Sequence, residues 1–370
     1  MIAKIVKALA FALLLAPFTA TSQAQAKPIV EVGFVLDTTG SMGPLIEGAK
    51  RKIWSIATSI IETHPDAEIR MGLVAYRDIG DEYVTKVFPL TTDVQDLYAR
   101  LLELKANGGG DWPESVNEAL YTAVTKLSWT SGSDVRRIMF LVGDAPPHMD
   151  YVQDVKYPEV IRMARDRDII VNAVQAGSAR DTERVWREIA QLGTGRYIPI
   201  PQDGGAIVVI ETPFDIEILE LQDRINGTII PYGPRPMRSS VEKKAKAARA
   251  APAPVATEMA GYLNRFALAS GGSESITGGG DLVADVAAGR QKLAAVKDED
   301  LPETMLKLNP AERQAIIDKR LAERKELKVK LAALIKKRDL FVAEARKKDP
   351  KRVDSFDSVV ADTLRMQLKR

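Results

Sequence analysis

A chain of 370 residues is long for one domain, and its 45% hydrophobic content is ample for a packed core. The absence of cysteine excludes disulfides, thiolate metal sites and a cysteine nucleophile, leaving any metal to oxygen donors or to His64 and His148. The net charge of +2 conceals an asymmetry, net −9 over residues 27–236 and net +8 over residues 301–370. An acidic front half is unsuited to nucleic acid.

Residues 1–26 read as a signal peptide. Lys4 and Lys7 lead into the apolar "ALAFALLLAPF", and "AQA" at 24–26 has the small residues of a cleavage site. A retained membrane anchor is the alternative, but the apolar core is too short and a polar "TSQAQ" follows it. The expected product is a periplasmic or secreted protein with its mature start at Lys27.

From residue 29 to 225, strand-like and helix-like segments alternate. "IVEVGFVL" (29–36), "EIRMGLVAY" (68–76), "RRIMFLV" (136–142), "DIIVNAV" (168–174) and "GRYIPI" (195–200) are short and mostly rich in Val and Ile, as buried strands are. Amphipathic stretches at 44–63, 93–104, 113–127, 156–167 and 181–192 supply helices. "EYVTKVF" (82–88) follows its predecessor closely enough for only a hairpin, which predicts an antiparallel edge strand. The reading is a doubly wound, mostly parallel α/β sheet over residues 27–225. Such sheets bind ligands outside the carboxyl ends of their strands.

Beyond residue 225 the composition changes to a mainly α-helical C-terminal extension. Residues 226–256, with "EKKAKAARAAPAP", are poor in core-forming residues and read as a linker. A helical region is expected over 257–370. "LNPAER" opens its main helix, with Asn309 as N-cap, Pro310 at the first helical position and Glu312 completing a capping box. Nothing breaks the helix before about Lys348, a length of about 58 Å. Its apolar stripe of Ile317, Leu321, Leu327, Leu331, Leu334 and Phe341 is interrupted by Arg324 and Arg338, which implies packing on a partner helix. A last helix at about 355–368, carrying Phe356, Val359, Val360 and Leu364, is expected to fold back as the other arm of a hairpin.

The chemistry concentrates where the first strand ends. In "FVLDTTGSMG", Asp37, Thr39 and Ser41 are spaced two apart on a loop. Two further acidic loops fall at the same edge, "NGGGDWPES" with Asp111 and "LVGDAPPH" with Asp144. Carboxylates and hydroxyls converging without nitrogen or sulfur suit a hard cation such as Mg²⁺, with Ca²⁺ or Mn²⁺ as alternatives. Asp111 reads either as a ligand or as a cap of the helix expected near Pro113. Asp78, Trp112, His148 and Tyr151 are candidates for the rim of the same mouth, although a solvated turn is the plainer reading of Asp78 and an exposed loop that of His148.

These residues resemble a von Willebrand factor type A (VWA) domain with a metal-ion-dependent adhesion site, whose pattern is Asp-x-Ser-x-Ser, a distant Thr and a distant Asp. Asp37, Thr39 and Ser41 match the first element with one conservative change, and Asp144 matches the last. The middle element departs, since "GGGD" supplies Asp111 where threonine is commonest. The wording "GGGDxPE" and "GDAPPH" is similar to the hemicentin-like branch. The resemblance covers about residues 29–225 and implies a module that binds rather than catalyses, in which a partner's carboxylate completes the metal shell. A metal-dependent hydrolase and a structural coiled-coil envelope protein with a fold-stabilising metal are the competing classes. The basic helices are expected to serve self-association, docking on the acidic domain, or contact with an anionic envelope surface.

Overall fold

The computed structural model describes residues 27–204, 210–270, 272–348 and 356–369; the expected signal peptide lies outside these. Six strands form one sheet: β1 (Ile29–Asp37), β2 (Glu68–Tyr76), β3 (Thr85–Thr91), β4 (Val135–Gly143), β5 (Ile169–Ala176) and β6 (Thr194–Ile200). Their order is β3-β2-β1-β4-β5-β6, with only the β2–β3 pair antiparallel. The sheet direction of travel therefore reverses between β1 and β4, and a crevice opens there at the carboxyl edge.

Side chains alternate between two cores, as the pleat requires. Val30, Val32 and Leu36 of β1 face one core with α1 (Gly43–Thr63) and α2 (Val94–Glu103). Val35 faces the other, with α3 (Val116–Lys126), α4 (Tyr157–Arg165) and α5 (Arg180–Leu192). The edge strand lies three residues later than expected and runs through Pro89. Proline is tolerated there because an edge strand leaves one side of its backbone unpaired.

The helical region comprises α6 (Asp215–Asn226), α7 (Arg235–Ala250), α8 (Ala253–Ser270), α9 (Leu282–Ala287), α10 (Glu303–Leu306), α11 (Pro310–Lys348) and α12 (Phe356–Leu368). The stretch 226–256 is not an unstructured linker. Most of it forms α7, which lies against α2 and buries Val241 and Lys244; the Lys244 ammonium bonds to the Asp93 carboxylate and to the carbonyl of Thr277. α11 has the expected bounds, and its capping box is formed: Asn309 N–H donates to Glu312 Oε2 at 2.8 Å and Glu312 N–H to Asn309 Oδ1 at 3.0 Å.

α12 does not pair with α11 as a hairpin arm. It packs on α1 and β6, and Val360, Leu364 and Leu368 join the sheet core along with Val255, Met259, Tyr262 and Leu263 of α8. The partners of α11 are α6, α8 and α9. The two arginines that interrupt its apolar stripe are accounted for: Arg324 is buried and bonds to Asp281 at 2.6 Å and Thr228 at 2.7 Å, and Arg338 reaches Asp215 at 3.1 Å. No helix among the described residues is long and apolar enough to cross a membrane.

Candidate metal centre at the carboxyl edge of the sheet

Asp37 is the last residue of β1, and Asp144 follows β4 directly, so parallel pairing of the two strands sets both carboxylates at the reversal point. Asp37 is fully buried. Its Oδ1 accepts from the backbone N–H of Thr39 at 2.8 Å and from the Thr39 hydroxyl at 2.7 Å, while Oδ2 is buried without a partner. Thr39 and Ser41 hydroxyls lie 3.4 Å apart. Asp144 accepts from Gln202 Nε2 at 2.6 Å, and its backbone carbonyl accepts from Thr182. Gly143 is required here, because a Cβ would strike the Tyr76 hydroxyl and sit 3.3 Å from Asp37 Oδ2.

A third buried acid at this edge is Glu114. Glu114 is buried, with Oε2 unpartnered. It is pinned by backbone bonds, its N–H donating to Pro146 O at 2.9 Å and its carbonyl accepting from His148 N–H at 3.0 Å. The glycine run folds against the first loop to permit this approach. Gly40 N–H donates to Gly108 O, and Gly109, at φ +77°, would place a Cβ 3.0 Å from Glu114 Oε1 and 3.2 Å from Thr39 Cβ. Arg77, also buried, ties these loops together through the carbonyls of Thr38 and Lys105.

Two of these buried acids, Asp37 and Glu114, are held toward their protonated forms. Burial, offset in part by the Thr39 bonds and reinforced by the charge of Asp144, pushes the Asp37 carboxyl up to about 7. Burial, then the charges of Asp37 and Asp78, pushes Glu114 up to about 9. The Tyr76 hydroxyl is driven well above its ordinary value by burial and by the charges of Asp37, Glu114 and Asp144. Orphaned carboxylate oxygens next to two hydroxyls suit a hard divalent ion.

The other residues singled out in the sequence fall elsewhere. Asp111 does not cap α3, which begins at Val116 behind Ser115; its exposed carboxylate faces His148 Nε2 at 3.6 Å. Asp78 and His148 are buried rather than solvent-facing. Asp78 accepts from the Ser115 hydroxyl at 2.7 Å and the Tyr151 hydroxyl at 2.8 Å. Trp112 is 47% exposed and donates to Asp181 at 2.6 Å, the position of a rim aromatic. The signal for Glu114 was present as a second acid in "GGGDWPE", three residues after the one first chosen.

Residues 31–211 match the family model of the von Willebrand factor A domain. A relative described as von Willebrand factor A domain-containing protein 7, from Rattus norvegicus, is 38% identical over 123 residues, 32% of this chain and 12% of its own length. Alpha-protein kinase vwkA from Dictyostelium discoideum is 27% identical over 125 residues, 34% of this chain and 20% of its own length. The chain thus spans a fifth or less of these curated relatives. Among solved structures, the SpRpn10 VWA domain aligns with a TM-score of 0.35 and 15% identity, covering 48% of this chain and 89% of that one. Over residues 31–211 the sheet domain is thus similar to von Willebrand factor A domains.

Proposed function

We propose that this is an exported module that binds a protein partner through a divalent cation at the carboxyl edge of its sheet. The observation that carries the reading is the cluster of Asp37, Glu114 and Asp144 beside the Thr39 and Ser41 hydroxyls, with Asp37 Oδ2 and Glu114 Oε2 buried and unpartnered. Leaving such atoms unsatisfied is costly, and a cation relieves it. These five residues would hold Mg²⁺, and the ion supplies a coordination position that an acidic side chain of a partner can fill. Glu114 adds a further carboxylate to the donor set, so the ion keeps less of its charge for the partner and Ca²⁺ is better tolerated.

Binding is favoured over hydrolysis by the local geometry. The only side-chain bond of Ser41 at this edge is to Thr39, and His148 turns toward aspartates, so no nucleophile and base are paired. Export rests on the leader-like residues 1–26. The helical region acts as a buttress fused to the sheet core, and Lys319, Lys325, Lys330, Lys336 and Lys337 remain exposed on α11 for an anionic envelope surface.

The test is capture from envelope extract by the mature protein, with Mg²⁺ and with chelator, alongside Asp37→Ala. Capture that needs the metal and is lost in the variant supports the reading. Equal capture in all three conditions overturns it.

A further inference from the structure

Beside the oxygen-only cluster lies a second group with a different donor set. Asp78 comes from the loop after β2, Asp111 from the loop before α3 and His148 from the loop after β4. One ligand atom from each lies within 4.8 Å of the others. His148 is 4% exposed, and its Nε2 is buried without a hydrogen-bond partner. That nitrogen is 3.6 Å from Asp78 Oδ2 and 3.6 Å from Asp111 Oδ2.

Those separations decide between two readings. A charge-assisted N–H···O bond would close to about 2.7–2.9 Å. Ligands sharing a tetrahedral ion at bond lengths of about 2.0–2.2 Å stand about 3.3–3.6 Å apart. The spacing is too wide for the first and fits the second.

The surroundings hold the donors in place. His148 Nδ1 lies 2.8 Å from Asp150 Oδ1. A carboxylate can only accept, so Nδ1 carries a proton, and Nε2 is the nitrogen left to an ion, which binds there by displacing any proton it holds. Such an Nδ1 bond is the usual way a carboxylate orients a metal-binding imidazole. Tyr151 stacks on the ring with centroids 3.9 Å apart and planes 8° from parallel, and its hydroxyl holds Asp78. Asp111, with 63% of its side chain exposed, leaves an open side for ion entry and for a water ligand.

We propose that Asp78, Asp111 and His148 form a second divalent-metal site, distinct from the oxygen cluster and taking Zn²⁺, with Asp150 and Tyr151 as positioning residues. One imidazole and two carboxylates suit a borderline ion, whereas Mg²⁺ favours oxygen donors alone.

The test uses the full chain, with the oxygen cluster filled by excess Mg²⁺, titrated with Zn²⁺ by calorimetry and with Co²⁺ by visible absorption. One Zn²⁺ equivalent and tetrahedral Co²⁺ bands are expected. His148→Gln should remove both. Asp111→Asn, an exposed change that leaves folding intact, should weaken Zn²⁺ more than 10-fold, and Asp150→Asn should weaken it by about 10–100-fold. Asp37→Ala should keep the Zn²⁺ equivalent while losing Mg²⁺. Absence of a Zn²⁺ equivalent over Mg²⁺, an unchanged isotherm in Asp111→Asn and His148→Gln, or loss of Zn²⁺ with Asp37→Ala would each overturn the site.

Discussion

The helical region and the carboxyl edge of the sheet treat buried charge in opposite ways. Under α11, Arg324 meets Asp281 at 2.6 Å, and on α7, Lys244 meets Asp93. At the sheet edge, like charges meet: Asp37, Glu114 and Asp144 share one enclosure, and two of their oxygens have no partner. Opposite charges close a structure on itself. Like charges leave it open to something from outside, and this difference separates scaffold from site.

The largest effect should come from breaking the scaffold side. Arg324→Ala strands Asp281 in the interior and should cost about 3–5 kcal/mol of unfolding free energy in urea titration, with Mg²⁺ affinity unchanged. Replacing Arg324 and Asp281 together by apolar residues of similar volume should recover most of that loss. A loss below about 1 kcal/mol in the single variant would remove the contrast.

On the site side, Asp37→Ala should lower Mg²⁺ affinity by more than about 100-fold, beyond the 10–100-fold typical of an outer hydrogen-bond partner, while circular dichroism stays native. Glu114→Thr removes one carboxylate and should keep Mg²⁺ but shift preference away from Ca²⁺. Unaltered selectivity in calorimetry would take Glu114 out of the centre and return it to the scaffold.

The third effect is a pH slope. The folded values of Asp37 and Glu114, about 7 and about 9, are raised above ordinary carboxyl values of 3.8 and 4.5. Between those limits the metal-free folded state holds protons that the unfolded chain has released, so stability falls as pH rises through the window and levels off above it. In chelator, urea unfolding at pH 8 should give several kcal/mol less than at pH 5. Saturating Mg²⁺ should flatten the slope. A rise in stability toward pH 8 in chelator would contradict the account of uncompensated acids.

The smallest effects belong to the exposed ion pairs made by α7. Lys243→Ala and Arg249→Ala, which remove contacts to Glu103 and Asp223, should each change stability by less than about 0.5 kcal/mol. In 0.5 M salt the helical region should stay docked, since α8 and α12 are anchored in the apolar core; protease cleavage within residues 235–270 at high salt but not at low salt would reverse this.

Much of this contrast was legible in the sequence where the cause is local. Alternating Val and Ile runs placed the strands, and Asn309 with Glu312 fixed the start of α11, because capping is decided within four residues. α7 was read as linker because Lys, Ala and Pro seemed unable to form a core. Lysine and alanine are strong helix formers, and two buried residues suffice to dock such a helix on a neighbour. The burial of Asp78 and His148 is not legible in sequence because it comes from remote partners, Ser115 and Tyr151 for Asp78 and Glu114 and Asn117 for the His148 backbone. Glu114 was overlooked because Asp111 comes first after the glycines, and only the pinned backbone at Pro146 and His148 shows which acid turns inward.

The docking of α12 on α1 has a kinetic consequence. His64 Nε2 donates to the carbonyl of Leu368 at 2.9 Å, a closure across 304 positions. Ribosomal synthesis delivers α1 well before α12, so the nascent sheet domain must carry this part of its apolar face uncovered until α12 emerges. Contacts of such separation are slow to form, and a face of this kind is where a chaperone gains its hold before the chain is finished.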